Sequence, residues 1–377
     1  MTAVAHLSQA YLPYIVLKVS SRCNLACEYC QSTDLPRSRQ MMPIKLISRI
    51  LSDLVPNFQK QQYKHLQLVF HGGEPLLAGL EFYKRVLELE SQLIKNDFLI
   101  SNGIQTNGIL ITENWATLFK QGKFQVGISL DGPQAIHDKY RKDQLGKPTF
   151  SRIAQSIEIL QENKMRFGLL SVITEESPSY CAQFFDLLTE WNISSFNFLP
   201  FRGSTTWKHV QAYSTFAKEM FDLWLDHDMP FYVLTFLEIL RKIGDQQTNF
   251  CEMTSNCGKM LAIDSLGRIF PCDRFMNDER FQIGTVSPSS FELAENPPKI
   301  PRQELSSSCS ECEVRDICFG GCPTLADPQT GKNVYCFARK ELIQHINRCL
   351  EEQELFPDKI LQRFDRKTIQ WVDAISL

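Results

Sequence analysis

The sequence predicts an α/β fold: a partial (β/α)6 TIM barrel followed by a smaller C-terminal domain held together by bound metal. Three observations carry this reading. Strand-like and helix-like periodicities alternate six times in the first 230 residues, the alternation stops near residue 247, and the segment beyond is crowded with closely spaced cysteines.

The strand-like apolar runs fall at 14–20, 65–70, 98–105, 124–130, 167–174 and 195–200. Between them, apolar residues three and four apart mark helices at 44–55, 80–94, 113–121, 150–162 and 180–191, with a sixth at 215–226. Strands alternating with helices argue for a parallel sheet with right-handed crossovers. A closed eightfold barrel needs two further units, which the pattern does not supply. The limits read from the sequence are an N-terminal extension at 1–13, a barrel at 14–230, a linker at 231–246, a metal-binding domain at 247–340, and a C-terminal helix and tail at 341–377. The metal-binding segment lacks the apolar periodicity of a strong core, so metal is expected to contribute to its folding.

Composition narrows the function. Of 377 residues, 43% are hydrophobic and 22% charged, and the formal net charge is −3. This is the balance of a soluble globular chain, with no basic excess to predict a nucleic-acid partner. No run approaches the roughly 18 apolar residues of a membrane span, and residues 1–13 lack the basic and apolar blocks of a signal peptide. A cytoplasmic location is expected. There, the 13 cysteines point to metal or redox chemistry instead of disulfides.

Cys23, Cys27 and Cys30 form a C-x-x-x-C-x-x-C loop just after the first strand. Three thiolates hold three corners of a [4Fe–4S] cluster and leave one iron open. An open iron can chelate the amino and carboxylate groups of S-adenosylmethionine, and one electron then yields a 5′-deoxyadenosyl radical. A closed zinc site would need a fourth ligand, and none stands between residues 17 and 40. Further on come Cys251, Cys257, Cys272, Cys309, Cys312, Cys318, Cys322 and Cys336. Eight thiols suit two fully ligated [4Fe–4S] clusters, or two four-cysteine zinc sites. Cys181 and Cys349 are left over on predicted helices and receive no role.

With these motifs in view, the chain resembles the radical SAM enzymes that carry a SPASM domain. The resemblance rests on Cys23-Asn-Leu-Ala-Cys-Glu-Tyr-Cys30, His71-Gly-Gly-Glu-Pro75, Gln105-Thr-Asn-Gly108 and Ser129-Leu-Asp-Gly-Pro133, in order and near strand ends, followed by C-x9-G-x4-C…C-x-x-C-x5-C-x3-C…C. It covers residues 14 to about 340. It implies three [4Fe–4S] clusters and S-adenosylmethionine as cofactors. Cys23, Cys27 and Cys30 would hold the SAM cluster; Cys251, Cys257, Cys272 and Cys322 a first auxiliary cluster; Cys309, Cys312, Cys318 and Cys336 a second.

The resemblance also distributes roles around SAM. Tyr29 and Leu199 would meet the adenine, Ser129 and Arg141 the ribose and carboxylate end, and Gly72, Gly73 and Glu74 the methionine amino group. A glycine lets backbone approach a ligand closely, and Arg141 has the fork that suits a carboxylate. For Asp273, a general base and a turn-capping aspartate are equal readings. Gln105 and Asn107 divide in the same way between substrate contact and loop hydrogen bonding.

The family implies a peptide or protein substrate and a flavodoxin- or ferredoxin-type electron donor, without nucleic acid or membrane. Gln31 stands where sulfatase maturases carry an aromatic residue, and Thr324 where they carry Lys-Asp-Arg after the Cys-Pro pair. The opening Ile15-Val-Leu-Lys-Val-Ser-Ser-Arg-Cys23 resembles maturases of ribosomally made peptides. The leading expectation is therefore a cyclophane-type crosslink. Formylglycine formation by an anaerobic sulfatase maturase is the alternative, and a non-catalytic zinc-binding interaction protein is the reading from another class. With 13 residues ahead of the first strand, leader recognition is expected to use the barrel, the SPASM domain or a separate protein.

Overall fold

The computed structural model describes residues 13–30, 40–93, 98–248, 250–254, 257–298, 300 and 307–364. The expected N-terminal extension (apart from its last residue), Gln31 and the tail from 365 lie outside the described residues.

Six strand–helix units come first. They are β1 (Tyr14–Lys18) and α1 (Ile44–Lys60), β2 (His65–Phe70) and α2 (Leu80–Leu93), and β3 (Leu99–Thr106) and α3 (Glu113–Gln121). Then follow β4 (Gln125–Ser129) with α4 (Gln134–Tyr140) and α5 (Phe150–Glu162), β5 (Phe167–Ile173) with α6 (Cys181–Glu190), and β6 (Ser195–Pro200) with α7 (Trp207–Asp226). These six strands are parallel and lie in chain order. Their interiors are apolar runs because helices cover the sheet. Helix α1 shows the logic: Leu46, Ile47, Ile50, Leu51, Leu54, Val55 and Phe58 are buried along one stripe. It runs beyond its expected end, through Pro56, to bury Phe58.

The stretch read as a linker is structured. It contains β7 (Tyr232–Val233), which extends the parallel sheet beside β6, and α8 (Leu234–Ile243). Every residue of α8 from Leu234 to Leu240 is buried. Leu234, Leu237 and Leu240 recur three apart on it, a short helical stripe that the sequence reading assigns to the linker.

The C-terminal segment does not stand apart. Strand β8 (Leu261–Asp264) pairs in parallel with β1, placing Ile15 opposite Leu261 and Leu17 opposite Ile263. Strands β9 (Arg268–Phe270), β10 (Gly284–Val286) and β11 (Phe291–Leu293) continue as an antiparallel edge. One eleven-stranded sheet results, in the order β11-β10-β9-β8-β1-β2-β3-β4-β5-β6-β7. The chain ends with α9 (Arg315–Cys318), α10 (Cys336–Glu352), which packs on α7, and α11 (Pro357–Leu361), which packs on α8. β8 runs parallel to β1 and β9 runs back antiparallel, so the β8–β9 turn lies at the sheet end that carries the loops after β1 and β2, and the chain folds back after β9 to set Asp273 against His71.

Candidate active site

The cluster loop follows β1 and is pinned on two sides. Ala26 and Glu28 donate backbone N–H bonds to the carbonyls of Lys142 (2.8 Å) and Tyr140 (3.0 Å), and Gln144 Nε2 donates to the Leu25 carbonyl at 2.6 Å. On the other side, the turn after β2 lies against the loop. A Cβ on Gly73 (φ +61°) would stand 2.4 Å from the Ser20 carbonyl oxygen and 2.5 Å from that of Arg22. A Cβ on Gly72 (φ +88°) would meet Lys18 Cγ at 2.8 Å. The glycine pair thus permits backbone-to-backbone packing of this turn on the thiol loop.

All 13 cysteines are free thiols. Cys23 Sγ accepts from Leu25 N–H at 3.4 Å and from Asn107 Nδ2 at 3.6 Å, and Arg141 Nη1 lies 4.0 Å from Cys27 Sγ. Burial pushes the Cys23 thiol up to about 12 and raises Cys27. Such thiols ionise when a metal binds them, and the donors aimed at sulfur suit thiolates. The donor set fits a cluster.

Beside the loop sits a buried ion pair. Arg141 clamps Asp131 in bidentate fashion, Nε to Oδ2 at 2.8 Å and Nη2 to Oδ1 at 3.1 Å. Asp131 also accepts from Tyr29 Oη and from Val172 N–H (3.0 Å). Burial opposes its charge, but Arg141 outweighs burial and holds the carboxyl below its usual range. The Arg141 fork expected for a ligand carboxylate is therefore engaged by Asp131, a residue the sequence reading quoted within a motif but gave no role. The guanidinium lies 5.4 Å from the Tyr29 ring centre. His137 is fully buried, accepts from Asp131 N–H at Nδ1 (3.3 Å), and lies 3.1 Å from Thr149 Oγ1 at Nε2. Thr149 in turn donates to the Arg141 carbonyl at 2.7 Å.

Glu74 is also fully buried, with both oxygens engaged: Oε1 by Leu76 N–H (2.9 Å) and Thr106 Oγ1 (2.7 Å), Oε2 by Asn107 N–H (2.9 Å). It ties the turn after β2 to the end of β3. Burial raises its carboxyl to about 7. Asn107 passes the tie to the cluster loop through Asn24 Oδ1 at 2.7 Å. Gln105 donates to Ser129 Oγ at 3.1 Å, while its buried Oε1 has no protein partner. Leu199 is half-buried in β6 opposite Val172. Arg202 donates to Thr324 Oγ1 at 2.8 Å and leaves Nε and Nη2 buried and unpartnered. Orphaned donors and acceptors at the strand ends are the mark of a site that holds a polar ligand.

The C-terminal segment delivers Asp273 to this mouth. His71 Nδ1, after β2, stands 3.9 Å from Asp273 Oδ2. Burial opposes the Asp273 charge, but Arg274, then His71, outweigh it and keep the carboxyl below its usual range. Burial lowers the His71 imidazole. It also lowers the Lys18 ammonium, against the pull of Cys30, Asp264 and Asp273. Sequence reasoning quoted His71 and Lys18 within motifs but gave neither a role, because only the tertiary fold puts Asp273 beside them.

The other thiols gather in two places. Cys309, Cys312, Cys318 and Cys336 line one cavity with Arg315, Lys332, Arg339 and Lys340. Four thiolates with cationic neighbours suit an anionic metal–sulfur centre. Cys251 feels Cys322 and Cys257 electrostatically, and Cys272 feels Cys251; burial pushes Cys251 to about 12 and Cys272 upward. Arg339 bridges the groups, bonding Glu252 Oε2 at 2.9 Å and Cys318 Sγ at 3.4 Å.

Residues 17–188 match the family model of the radical SAM superfamily. The chain carries a radical SAM domain. It is 29% identical to the cysteine-type anaerobic sulfatase-maturating enzyme of Clostridium perfringens strain 13, over 89% of this chain and 96% of that one. It is 27% identical to the serine-type enzyme of Bacteroides thetaiotaomicron, over 88% and 89%. It superposes on native anSMEcpe with bound AdoMet and Cp18Cys peptide with a TM-score of 0.77, at 26% identity, covering 92% of this chain and 99% of that one. The chain is an enzyme of SAM radical chemistry, and the non-catalytic alternative falls. Among the described residues, no helix is long and apolar enough to cross a membrane.

Proposed function

We propose that this radical SAM enzyme oxidises a Cys or Ser side chain of a peptide or protein to the aldehyde of formylglycine. The observation that carries the reading is Asp273: the C-terminal segment brings a half-buried, charged carboxylate to the barrel mouth, 3.9 Å from His71. The end-to-end similarity to cysteine- and serine-type maturases supports it. This reverses the order expected from the sequence, in which crosslinking led.

Cys23, Cys27 and Cys30 hold the SAM cluster. Bound there, SAM supplies a radical that removes a hydrogen atom from carbon. The backbone at Gly72–Gly73, the Tyr29–Asp131–Arg141 group, Ser129 and Leu199 surround SAM, with Glu74 fixing the turn that carries the glycines. Gln105, with its free Oε1, faces the substrate side, and Asn107 braces the cluster loop. For a serine substrate, one hydrogen atom would leave Cβ and Asp273 would take the hydroxyl proton as the C=O bond forms; metal–sulfur clusters held by the two auxiliary cysteine sets would accept the second electron. For cysteine, the thioaldehyde equivalent exchanges sulfur for water oxygen and releases sulfide. A flavodoxin- or ferredoxin-type protein in the cytoplasm supplies the starting electron.

Incubation of the reduced, cluster-loaded enzyme with SAM and Cys- or Ser-containing sulfatase peptides is expected to give 5′-deoxyadenosine and a product that reacts with a hydrazide. 5′-Deoxyadenosine without aldehyde would overturn the reading. A second reading, crosslinking of a ribosomal peptide, is favoured by Thr324. Its hydroxyl accepts from Arg202 and lies 3.1 Å from Cys322 Sγ, at a position where the sequence departs from the sulfatase-maturase pattern. A hydrazide-inert product that has lost two hydrogens would support it.

A further inference from the structure

Away from the barrel mouth, α10 crosses α7 and gathers three side chains of metal-binding type. His345 and Cys349 stand four residues apart on α10 and share a face. Asp222 meets them from α7. His345 Nε2 lies 2.6 Å from Asp222 Oδ1, and Cys349 Sγ lies 3.6 Å from His345 Nε2 and 3.8 Å from Asp222 Oδ1. In a tetrahedral zinc site, standard bond lengths put sulfur about 3.6 Å from each nitrogen or oxygen ligand. Both sulfur edges already have that length. The nitrogen–oxygen edge must open from its hydrogen-bonded distance to about 3.3 Å as metal replaces the shared proton.

The surrounding charge favours a cation. Burial raises the Glu219 carboxyl, one turn before Asp222 on α7, and Asp222 adds to it. Glu352 adds negative potential at Cys349. Against these stands Arg348, whose Nη2 lies 3.5 Å from His345 Nδ1. With metal on Nε2, Nδ1 carries the ring proton, so the guanidinium must swing aside.

We propose that Asp222, His345 and Cys349 bind one divalent cation of the zinc class, with water completing the tetrahedron. The half-exposed Asp222 leaves room for that water. The site is a clasp: it joins the last barrel helix, α7, to α10, which begins at Cys336 of an auxiliary thiol set. It gives Cys349 a role and is separate from all eleven cluster cysteines.

The test uses the full chain with its iron–sulfur clusters reconstituted, given one equivalent of zinc sulfate and desalted. About one zinc per chain is expected with the iron content unchanged. X-ray absorption at the zinc edge should show one sulfur at about 2.3 Å and three nitrogen or oxygen neighbours at about 2.0–2.1 Å. His345→Gln and Cys349→Ser should weaken zinc binding at least tenfold, retain iron and still cleave SAM. Asp222→Asn, which keeps a hydrogen-bond partner for His345, should also weaken it. Cys181→Ser should retain zinc. Zinc should raise the melting temperature of the parent chain and not of His345→Gln. No retained zinc in the parent, undiminished zinc in His345→Gln, or a four-sulfur shell marking zinc lodged in a cluster site would each overturn the proposal. If Cys349→Ser lost its iron through misfolding, His345→Gln and Asp222→Asn would decide the matter.

Discussion

The two cysteine-bearing regions solve different problems. The thiol loop after β1 has three cysteines and a prebuilt frame: backbone bonds to Tyr140 and Lys142, the Gly73 turn, and Asn107 braced by Glu74. The region around Cys309–Cys336 has four thiols about one cavity, one four-residue helix and short turns. The first holds its shape through the sheet, so a metal bound there would be free to do chemistry. The second has little apolar cover, so a metal bound there would also serve as its core.

This contrast is sharpest in metal removal. Replacing Cys23, Cys27 and Cys30 with Ala should abolish SAM cleavage, by more than about a thousandfold, while the melting temperature stays close to that of the parent. Replacing Cys309 and Cys336 should expose residues 307–340 to proteolysis while the barrel remains resistant. Iron should fall from ~12 per chain to ~8 in either variant. A barrel that melts with the first triad, or an intact 307–340 without its thiols, would break the comparison.

Asp273 sits where the two regions meet. Asp273→Asn should retain SAM cleavage and lose aldehyde formation by about 10²–10⁴-fold. Normal product yield would remove Asp273 from the proton path.

Within the barrel mouth, Asp131→Ala leaves Arg141 buried and unpaired and should destabilise the chain by about 3–5 kcal/mol in denaturant unfolding. A loss below about 1 kcal/mol would show that Arg141 finds another partner.

The smallest effect concerns acid. Burial lowers the His137 imidazole to about 4 from an unfolded value near 6.5. Its contribution is fully present above pH 6.5 and is lost as pH falls through 4. That loss is about 3 kcal/mol. The stability gap between the parent and His137→Asn should narrow over this range. A gap independent of pH would mean that the ring titrates alike in the folded and unfolded chain.

Much of this was legible before folding. The strand runs at 65–70, 167–174 and 195–200 became β2, β5 and β6 because buried parallel strands write themselves as continuous apolar runs. The thiols of Cys309, Cys312, Cys318 and Cys336 converge on one cavity, although Cys336 is separated from the others in the chain. Residues 231–246 were passed over: a two-residue strand has no period, and the helix behind it spans only ten residues. Glu74 was visible as a motif residue, but its hydrogen bonds to Thr106 and Asn107 were not. Asp131 was overlooked because a strand-end aspartate looks alike whether it caps a turn or clamps an arginine.

By itself the sequence determined the alternation of strands and helices and the grouping of thiols at metal-binding spacings. Both are local properties, written in periods of a few residues. The tertiary structure decided which groups meet: Asp273 with His71, Arg141 with Asp131, and Asp222 with His345 and Cys349. These meetings depend on β8 lying beside β1, on loops converging at one end of the sheet, and on α10 crossing α7. Such long-range packing is fixed by the burial of the whole apolar surface, which no short window of sequence contains.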